Sequence, residues 1–408
     1  MTILFKPSYL LMILIGIIFS SNLIAQEQFN YDESKVPALV LPDPFVSTKG
    51  EIINSIEEWE STRRPELLQA FADEMYGQLP KDFDKITFQE EVIASHPYAG
   101  FSSYKLVQIG VSRNGKTQTI PLHLFSPKVG RGPFPVVLLI SHRKVEHLIN
   151  DKEDKFFDIQ QITQRGYVAA IFDVEYVSPD DKDRFSDGIL TSLYPEQMQL
   201  PNGMRGLGAW AWGAMRAMDY FEQEPLIDHT KSAVVGHSRG GKAALWCGAN
   251  DIRWAITYSN ESGCGGAALS RRKFGETVER INTAFPYWFT DNFDFFNGNE
   301  EKLPFDQHQL IASIAPRGVY IASAMEDLWA DPKGEYLSLK LASQVYQQLY
   351  DEKTDLPEDY VFAPHFHHSG SLGYHLRAGQ HNLTGEDWEK FLDFADNQFG
   401  NLSKKESR

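Results

Sequence analysis

Residues 234–246 read VVGHSRGGKAALW, in which a short apolar run meets a glycine-flanked serine and helix-forming residues follow at once. Where Gly-x-Ser-x-Gly joins a buried strand to a helix, the strained turn presents its serine as a nucleophile, and the glycines let neighbouring backbone come close. Both the strand and the helix are indicated here, so the stretch predicts that Ser238 is a catalytic nucleophile. The alternative is a tight structural turn with an inert serine.

The chain around this stretch alternates between apolar strands and helices. Continuous apolar runs, typical of strands buried on both faces, stand at 134–141, 167–174, 232–238, 254–262 and 318–326. Helical segments separate these runs, among them a long amphipathic helix over 206–224. The alternation predicts a parallel sheet with helices on both faces.

Before the first of these runs, polar and apolar residues alternate. The segment SRNGK at 112–116 places an Asn-Gly turn between two such stretches, which predicts an antiparallel hairpin. We therefore expect an α/β fold with the layout of an α/β-hydrolase. It would be a three-layer α/β/α sandwich whose central sheet is mostly parallel and has antiparallel strands at its N-terminal edge.

The two ends of the chain differ from the part between them. Lys6 precedes the apolar run LLMILIGIIF and the segment SSNLIAQ, the layout of a secretory signal peptide that is cut near Ala25. We expect a signal peptide over 1–25, a single catalytic domain over 26–400 and a polar tail over 401–408, in a secreted or periplasmic protein. A retained membrane anchor is disfavoured because the run is shorter than the roughly 20 residues that span a bilayer.

Composition limits the partners of the protein. The 408 residues carry a formal net charge of −16, which disfavours a nucleic-acid partner because phosphate binding needs a basic face. The two cysteines, Cys247 and Cys264, are too few for a disulfide scaffold or a zinc-finger set, and whether they pair stays open. We expect a monomer without stable membrane insertion.

A serine nucleophile needs a base, and in this fold the chain order is serine, acid, histidine. His381 follows the strand-like segment YHLR and a turn at Gly379. A helix begins after it, marked by Thr384 and Asp387 at capping-box spacing. His381 is therefore the expected general base.

The acid that orients this histidine has two candidates. Glu261 directly follows the strand WAITYSN, and Asp327 comes just after the strand GVYIASAM. Both lie at the carboxyl ends of strands, where α/β sheets place their chemistry. Asp327 has the more usual location, but the residues alone leave the choice open.

A histidine-rich segment, HFHHSGSLGYH at 365–375, has the composition of a metal site. A reachable carboxylate and a regular ligand spacing are missing, so we interpret these histidines as surface or loop residues. We expect a reaction that needs no metal and no cofactor.

Four motifs in order are similar to those of the glucuronoyl esterases, secreted α/β-hydrolases that cleave esters between glucuronoxylan and lignin alcohols. The motifs lie within residues 130–395 and are VVGHSRGGKAALW, NESGCGGAALSRRKFGET, Asp327-Leu328-Trp329 before ADP, and YHLRAGQHNLT. The resemblance implies the same fold, the same ester chemistry and a glucuronoxylan or lignin–carbohydrate ester as the substrate.

The resemblance also implies roles for single residues. It makes Ser238 the nucleophile and His381 the base, while Glu261 and Asp327 match the two positions that can hold the acid. Arg239 matches an arginine that supports the oxyanion. Three further residues match positions that contact the uronate sugar: Lys242, Glu276 and Trp329.

These last four residues are also open to plain structural interpretations. A guanidinium beside the nucleophile can stabilise an oxyanion, but Arg239 can equally pair with a surface acid. Lys242 comes one helical turn after Ser238, although a lysine on a helix is usually solvated. Glu276 can be a solvated acid and Trp329 a core residue.

Two departures from the family pattern affect the site. Fungal members carry a cysteine beside the serine and another beside the histidine, where this chain has His237 and Asn382. The segment SHRKVEHLIND at 141–151 replaces a glycine-containing loop that normally helps to build the oxyanion side. Substrate preference is therefore less well specified than the type of reaction.

Together these features predict a serine esterase that hydrolyses the ester of a (4-O-methyl)glucuronate with a lignin alcohol through an acyl-enzyme. A carbohydrate acetyl esterase with the same triad is an alternative. The altered loop keeps open a weakly active, glycan-binding homologue. A peptidase is the weakest rival, because no propeller-like repeat domain is evident.

Overall fold

A computed structural model describes residues 29–400, so the predicted signal peptide and polar tail lie outside the described residues. The strands are β1 (Lys85–Ile93), β2 (Ser102–Arg113), β3 (Lys116–Pro127), β4 (Phe134–Ser141), β5 (Val168–Asp173), β6 (Ile227–His237), β7 (Ile256–Asn260), β8 (Gly318–Ala324), β9 (His365–Ser369) and β10 (Leu372–Arg377). The α-helices are α1 (Ile56–Glu58), α2 (Arg64–Phe71), α3 (Val145–Leu148), α4 (Ile159–Gln164), α5 (Ile189–Ser192), α6 (Gly206–Phe221), α7 (Arg239–Asn250), α8 (Val278–Ala284), α9 (Gln307–Ala312), α10 (Pro332–Tyr350) and α11 (Gly385–Phe399).

The ten strands form one sheet in the order β1-β2-β3-β5-β4-β6-β7-β8-β10-β9. From β5 to β10 the neighbouring strands are parallel. The strands β1, β2 and β3 add an antiparallel edge, joined by the predicted turn, in which Asn114 and Gly115 have positive φ. The predicted sheet is thus confirmed, and β9 adds an antiparallel strand at the opposite edge.

Helices cover both faces of the sheet because the side chains of each buried strand alternate between them. Along β4, Val136, Leu138 and Ile140 belong to one apolar core, and Val137 and Leu139 belong to another. The first core includes side chains of α6, α7, α9 and α10, and the second includes side chains of α3, α4 and α11. This is the predicted three-layer arrangement.

The helix α6 differs from its prediction as an amphipathic helix. All of its residues except Asp219 are buried. Its outer face is covered by loops, since Trp210 donates a hydrogen bond to the carbonyl of Ser178 and Trp212 to that of Pro80. A helix that is buried on all sides is a core element, and its local sequence does not show which loops will cover it.

No helix among residues 29–400 is both long and apolar enough to cross a bilayer. Cys247 and Cys264 are buried and unpaired, which answers the question of whether they form a disulfide.

The sheet brings four predicted site residues to the end where its parallel strands finish. Because β6, β7, β8 and β10 are parallel, their carboxyl ends meet there. Ser238 and Glu261 directly follow β6 and β7, while Asp327 and His381 lie in the loops after β8 and β10.

Candidate active site

Ser238 lies in a strained turn between β6 and α7, with φ 55° and ψ −124°. The left-handed region is costly for a residue with a side chain, and such strain concentrates at functional sites. The flanking glycines are required by close approach. A Cβ on Gly236 would lie 2.0 Å from the carbonyl oxygen of Gly240, and one on Gly240 would lie 2.8 Å from that of Ile140.

The backbone ties the ends of the four strands together. The Ser238 amide donates to the carbonyl of Asn260 over 2.8 Å, and the Glu261 amide donates to that of Ala322 over 2.7 Å. The amide of Met325 donates to the carbonyl of Arg377 over 2.9 Å. These bonds continue the sheet past its strands and hold the loops with the acids and the histidine side by side.

His381 lies between the two candidate acids. Its Nδ1 atom is 2.6 Å from Asp327 Oδ2 and 3.3 Å from Glu261 Oε2. The side chain of His381 is 41% exposed, whereas the carboxylates of Glu261 and Asp327 are almost completely buried. Two carboxylates on one nitrogen fix the orientation of the ring and leave Nε2 for chemistry on the open side.

The charges of this group act on one another. Burial alone lowers the pKa of His381, but the hydrogen bonds and charges of Asp327 and Glu261 outweigh it and raise the pKa to about 9. Burial raises the pKa of Glu261 to about 7, against the opposing effects of His381 and Arg377. The arrangement stabilises an imidazolium, which a general base becomes when it takes a proton.

Arg377, at the end of β10, organises the loop that carries His381 and was not singled out from the sequence. Its guanidinium donates to three carbonyls of this loop, those of Ala378, Gln380 and Asn382, at 2.6 to 3.0 Å. Nη2 also bonds Glu261 Oε1 at 2.5 Å. The sequence signal that could have identified Arg377 is a charged residue at the end of a buried strand.

The other side of this guanidinium meets Asp387, in the first turn of α11. Arg377 Nε lies 2.8 Å from Asp387 Oδ2. The same carboxylate accepts from the hydroxyl of Thr384 at 2.6 Å, in the predicted capping box. The loop around His381 is therefore anchored at both ends.

His237 and Asn382, which stand where fungal family members have cysteines, both make polar contacts. The ring of His237 packs 4.4 Å from the ring of His381, and its Nδ1 is 2.6 Å from Asn260 Oδ1. Asn382 Oδ1 accepts from Arg143 Nη2 at 3.0 Å. Arg143 belongs to the divergent loop after β4, so this loop is joined to the histidine loop.

His142, also in the loop after β4, lies near the turn that holds Ser238. Its ring stacks 6.0 Å from that of His237, and a Cβ on Gly240 would be 3.7 Å from its Nδ1. Burial lowers the pKa of His142 to about 3, and the nearby cations Arg239 and Arg143 act in the same direction. The divergent loop thus brings a neutral imidazole close to the turn that holds Ser238.

Arg239 has an acidic partner that the sequence analysis did not identify. Its Nη1 donates to Asp180 Oδ2 at 2.6 Å, and Asp180 Oδ1 accepts from Tyr287 at 3.0 Å and from Trp288 at 2.9 Å. The guanidinium also lies 4.6 Å from the ring centroid of Trp288. The alternative interpretation, in which Arg239 pairs with an acid, is therefore met by Asp180. Because a guanidinium has five donors, this pairing is compatible with a second partner.

Lys242 is buried rather than solvated. Its Nζ donates to the carbonyls of Ser262 and Cys264, each at 2.5 Å, and lies 3.9 Å from Glu276 Oε2. Burial lowers the pKa of Lys242 and raises that of Glu276. The two side chains form one buried pair at the edge of the site, so the solvated alternative is wrong for both.

Trp329 lies half-buried beside this pair. Its carbonyl accepts from the Glu276 amide at 3.0 Å, and the ring of Phe29 packs against its indole edge-on with centroids 4.7 Å apart. Trp329 is therefore neither a full core residue nor an isolated surface side chain.

The histidine-rich segment forms the hairpin of β9 and β10. His375 is buried, with Nδ1 2.9 Å from the hydroxyl of Tyr320 and Nε2 2.8 Å from Asp387 Oδ1. Its interpretation as a surface or loop residue is wrong, because β10 is an interior strand. Interior position is decided by strand order, which the local sequence does not show.

One group among the described residues has the spacing of metal ligands. Glu261, Asp327 and His381 each offer an atom within 4.8 Å of the others. The guanidinium of Arg377 already neutralises part of this negative charge. A proton on His381 Nδ1, shared with two carboxylates, suits the arrangement better than a divalent cation.

Comparisons with known proteins found similar sequences and structures. A family model described as "Glucuronyl esterase, fungi" matches residues 109–350. A carbohydrate esterase from an unknown prokaryotic organism is 39% identical over 402 residues, which cover 90% of this chain and 91% of that protein.

Solved structures are similar in sequence and in fold. A glucuronoyl esterase from Solibacter usitatus is 34% identical with a TM-score of 0.82, covering 90% of this chain and 100% of that one. A promiscuous esterase of carbohydrate esterase family 15, from a marine bacterial metagenome, is 38% identical with a TM-score of 0.78, covering 91% of this chain and 100% of that one.

Proposed function

Because the chain belongs to the glucuronoyl esterases of carbohydrate esterase family 15, and is therefore a carboxylic ester hydrolase, we propose that it cleaves the ester between (4-O-methyl)glucuronate of glucuronoxylan and a lignin alcohol. The observation that carries the proposal is His381, held by two buried carboxylates at the strand edge where Ser238 occupies a strained turn.

In the proposed mechanism Ser238, His381 and Asp327 form the triad. His381 Nε2 takes the proton of Ser238 as its Oγ bonds to the ester carbonyl carbon, and an oxyanion develops. The carbon–oxygen bond to the alcohol then breaks, and His381 protonates the leaving alcohol. Water, deprotonated by His381, then attacks the carbonyl carbon of the acyl-enzyme. The bond between this carbon and Ser238 Oγ breaks as His381 returns the proton to Oγ, which releases the uronate.

We assign the principal acid to Asp327 because it is closer to His381 Nδ1 than Glu261 is, at 2.6 against 3.3 Å. Glu261 is also engaged elsewhere, since Oε1 binds Arg377 and Oε2 accepts from the amide of Asn382 at 3.0 Å. In this proposal Glu261 supports the loop and adds negative charge near the imidazolium.

The proposed substrate contacts follow the charges around the serine. Arg239 stabilises the oxyanion, an effect of about 3–4 kcal/mol for a preorganised donor in other hydrolases. The uronate lies against Lys242, Glu276 and Trp329. Asp180 keeps the guanidinium in place during the reaction, because it holds Nη1 while Trp288 covers one face.

The experiment that tests this function is hydrolysis of a benzyl glucuronate ester. We expect the wild type to release benzyl alcohol and S238A to release none, because the acyl-enzyme cannot form. Turnover by S238A at the wild-type rate would contradict the proposal.

The description of one relative as promiscuous favours a second candidate, a carbohydrate acetyl esterase that uses the same triad. Rates on a methyl glucuronate ester and on acetylated xylan separate the two. We expect the uronate ester to be preferred, because Lys242 and Glu276 place a charged pair beside the serine. A preference for acetylated xylan would support the acetyl esterase, and turnover of neither ester would support a glycan-binding homologue.

We also propose that the protein is exported, on the basis of Lys6 and the apolar run over residues 10–19. Expression in a host with a secretion pathway should yield a mature chain that begins near Gln26, as read by N-terminal sequencing. A mature chain that keeps Met1 would contradict export by cleavage.

A further inference from the structure

Residues 29–33, the N-terminal strap, contact both segments that carry the candidate uronate residues. The ring of Phe29 packs edge-on against the indole of Trp329, with centroids 4.7 Å apart. The carbonyl of Asn30 accepts from the amide of Gly275 at 2.8 Å. Phe29 thus contacts the segment after β8, and Asn30 is bonded to the segment after β7.

The backbones of these two segments fit closely against each other. The amide of Glu276 donates to the carbonyl of Trp329 at 3.0 Å. Gly275 has a φ of 63°, and a Cβ there would lie 2.4 Å from the same carbonyl oxygen. These contacts fix the backbone at Trp329 and leave the orientation of its half-buried indole to side-chain contacts.

The indole of Trp329 has a side-chain neighbour on each of two sides. Among residues 29–400, the only aromatic ring packed against it is that of Phe29, in the edge-on geometry that aromatic pairs prefer. The other neighbour is Glu276. Burial raises the pKa of this carboxyl, and the charge of Lys242 and the indole of Trp329 oppose that effect. Phe29 therefore favours the orientation in which the indole lies beside Glu276.

The rest of the strap is anchored to the same two segments. The ring of Tyr31 meets that of Phe274 edge-on, with centroids 6.1 Å apart. The carboxylate of Glu33 accepts from Lys333 Nζ at 2.7 Å and also pairs with Arg272, whose side chain is almost completely buried. Because a ring contact and two cations hold its far end, the strap keeps Phe29 against the indole.

Such a contact can raise the affinity for a ligand that it never touches. A half-buried indole without a neighbouring ring samples several rotamers, and a ligand that needs one of them loses affinity through the ordering of the side chain. A ring packed against the edge of the indole selects that rotamer before the ligand binds.

We propose that Phe29 is a positioning residue that acts through Trp329 and holds the indole in the orientation that meets the uronate. The inference rests on the proposed function, which places the uronate against Trp329. Phe29 contributes to the affinity for the uronate and takes no part in bond cleavage.

The test measures hydrolysis of the benzyl glucuronate ester by variants of the full chain. For F29A we expect KM to rise about 3- to 10-fold with kcat within about 2-fold of the wild type, because the triad is unchanged. F29Y keeps the ring edge and should have a KM within about 2-fold of the wild type. The control is V40A, which shortens an 83% exposed side chain outside the strap and should leave KM and kcat unchanged.

A double-mutant cycle distinguishes an effect through Trp329 from a direct one. W329A should raise KM at least as much as F29A does. The double variant F29A/W329A should have a KM within about 2-fold of that of W329A, because the indole that Phe29 orients is already absent.

Other results would overturn the assignment. An unchanged KM in F29A would show that the indole keeps its orientation without Phe29, and a loss of kcat alone would show a merely structural role. A KM in F29Y as high as in F29A would exclude the ring edge as the cause. A further rise in KM from W329A to F29A/W329A would show that Phe29 acts independently of Trp329. If the wild type releases no benzyl alcohol, it is the proposed function that fails.

Discussion

The side chain of His381 is held by two buried carboxylates, which both face its Nδ1 atom. Each carboxylate favours the protonated ring, which raises the pKa of His381 to about 9. The free enzyme needs the neutral ring to accept the Ser238 proton. We therefore expect kcat/KM of the wild type to increase with pH toward that value.

Replacing Asp327 by Asn removes the closer carboxylate. We expect kcat to fall by about 100-fold or more, because the amide no longer stabilises the imidazolium. The loss of a negative charge also lowers the pKa of His381, so the acidic limb of the kcat/KM profile should move to lower pH.

E261Q is the matched variant for this comparison, and it should lower kcat by only about 10-fold. Profiles of kcat/KM against pH for both variants on one aryl glucuronate ester provide the measurement. A larger loss in E261Q than in D327N would show that Glu261 is the principal acid.

Among the strands and loops, the segment after β10 depends on the single guanidinium of Arg377. Three loop carbonyls and two carboxylates, those of Glu261 and Asp387, share its donors. A lysine keeps the charge but cannot reach these acceptors at once, because its three donors sit on one atom.

We therefore expect R377K to lower kcat by about 10- to 100-fold, with KM within about 3-fold of the wild type, because substrate binding does not use this loop directly. The control is R271K. Arg271 is also buried and donates to Asp306 and to the carbonyls of Phe305 and Leu303, none of them in the loop after β10. Equal losses of kcat in the two variants would indicate a general loss of stability instead.

In the molecule as a whole, buried neutral histidines make stability depend on pH. His123 in β3 is buried, with Nδ1 2.7 Å from the hydroxyl of Tyr104, and burial lowers its pKa to about 4. Between about pH 6.5 and pH 4 the unfolded chain binds a proton at this site and the folded protein does not. The contribution of His123 is therefore present above pH 6.5 and is lost as the pH falls.

H123Q removes this titration. From pH 7 to pH 5 we expect the free energy of unfolding of the wild type, relative to the variant, to fall by roughly 1–2 kcal/mol. Urea unfolding at the two pH values measures this difference. H147Q, at an exposed position, should show no such change, and a constant difference for H123Q would exclude the effect.

The sequence alone predicted the elements and the chemistry that depend on local pattern. The run of buried strands, the Asn-Gly hairpin and the strained serine turn follow from residues close together in the chain. So does the position of His381 before a capped helix, because turns, caps and strand burial are set by neighbouring residues.

Only the tertiary structure decided which distant residues meet. Strand order brings Asp327, Glu261 and Arg377 together around His381, and it buries Lys242 against Glu276. The tertiary structure also places Asp180 beside Arg239, although Asp180 lies 59 residues earlier in the chain. Such pairings depend on strand order and on long connections between strands, which no local pattern specifies, and the residues alone therefore leave the choice of acid open.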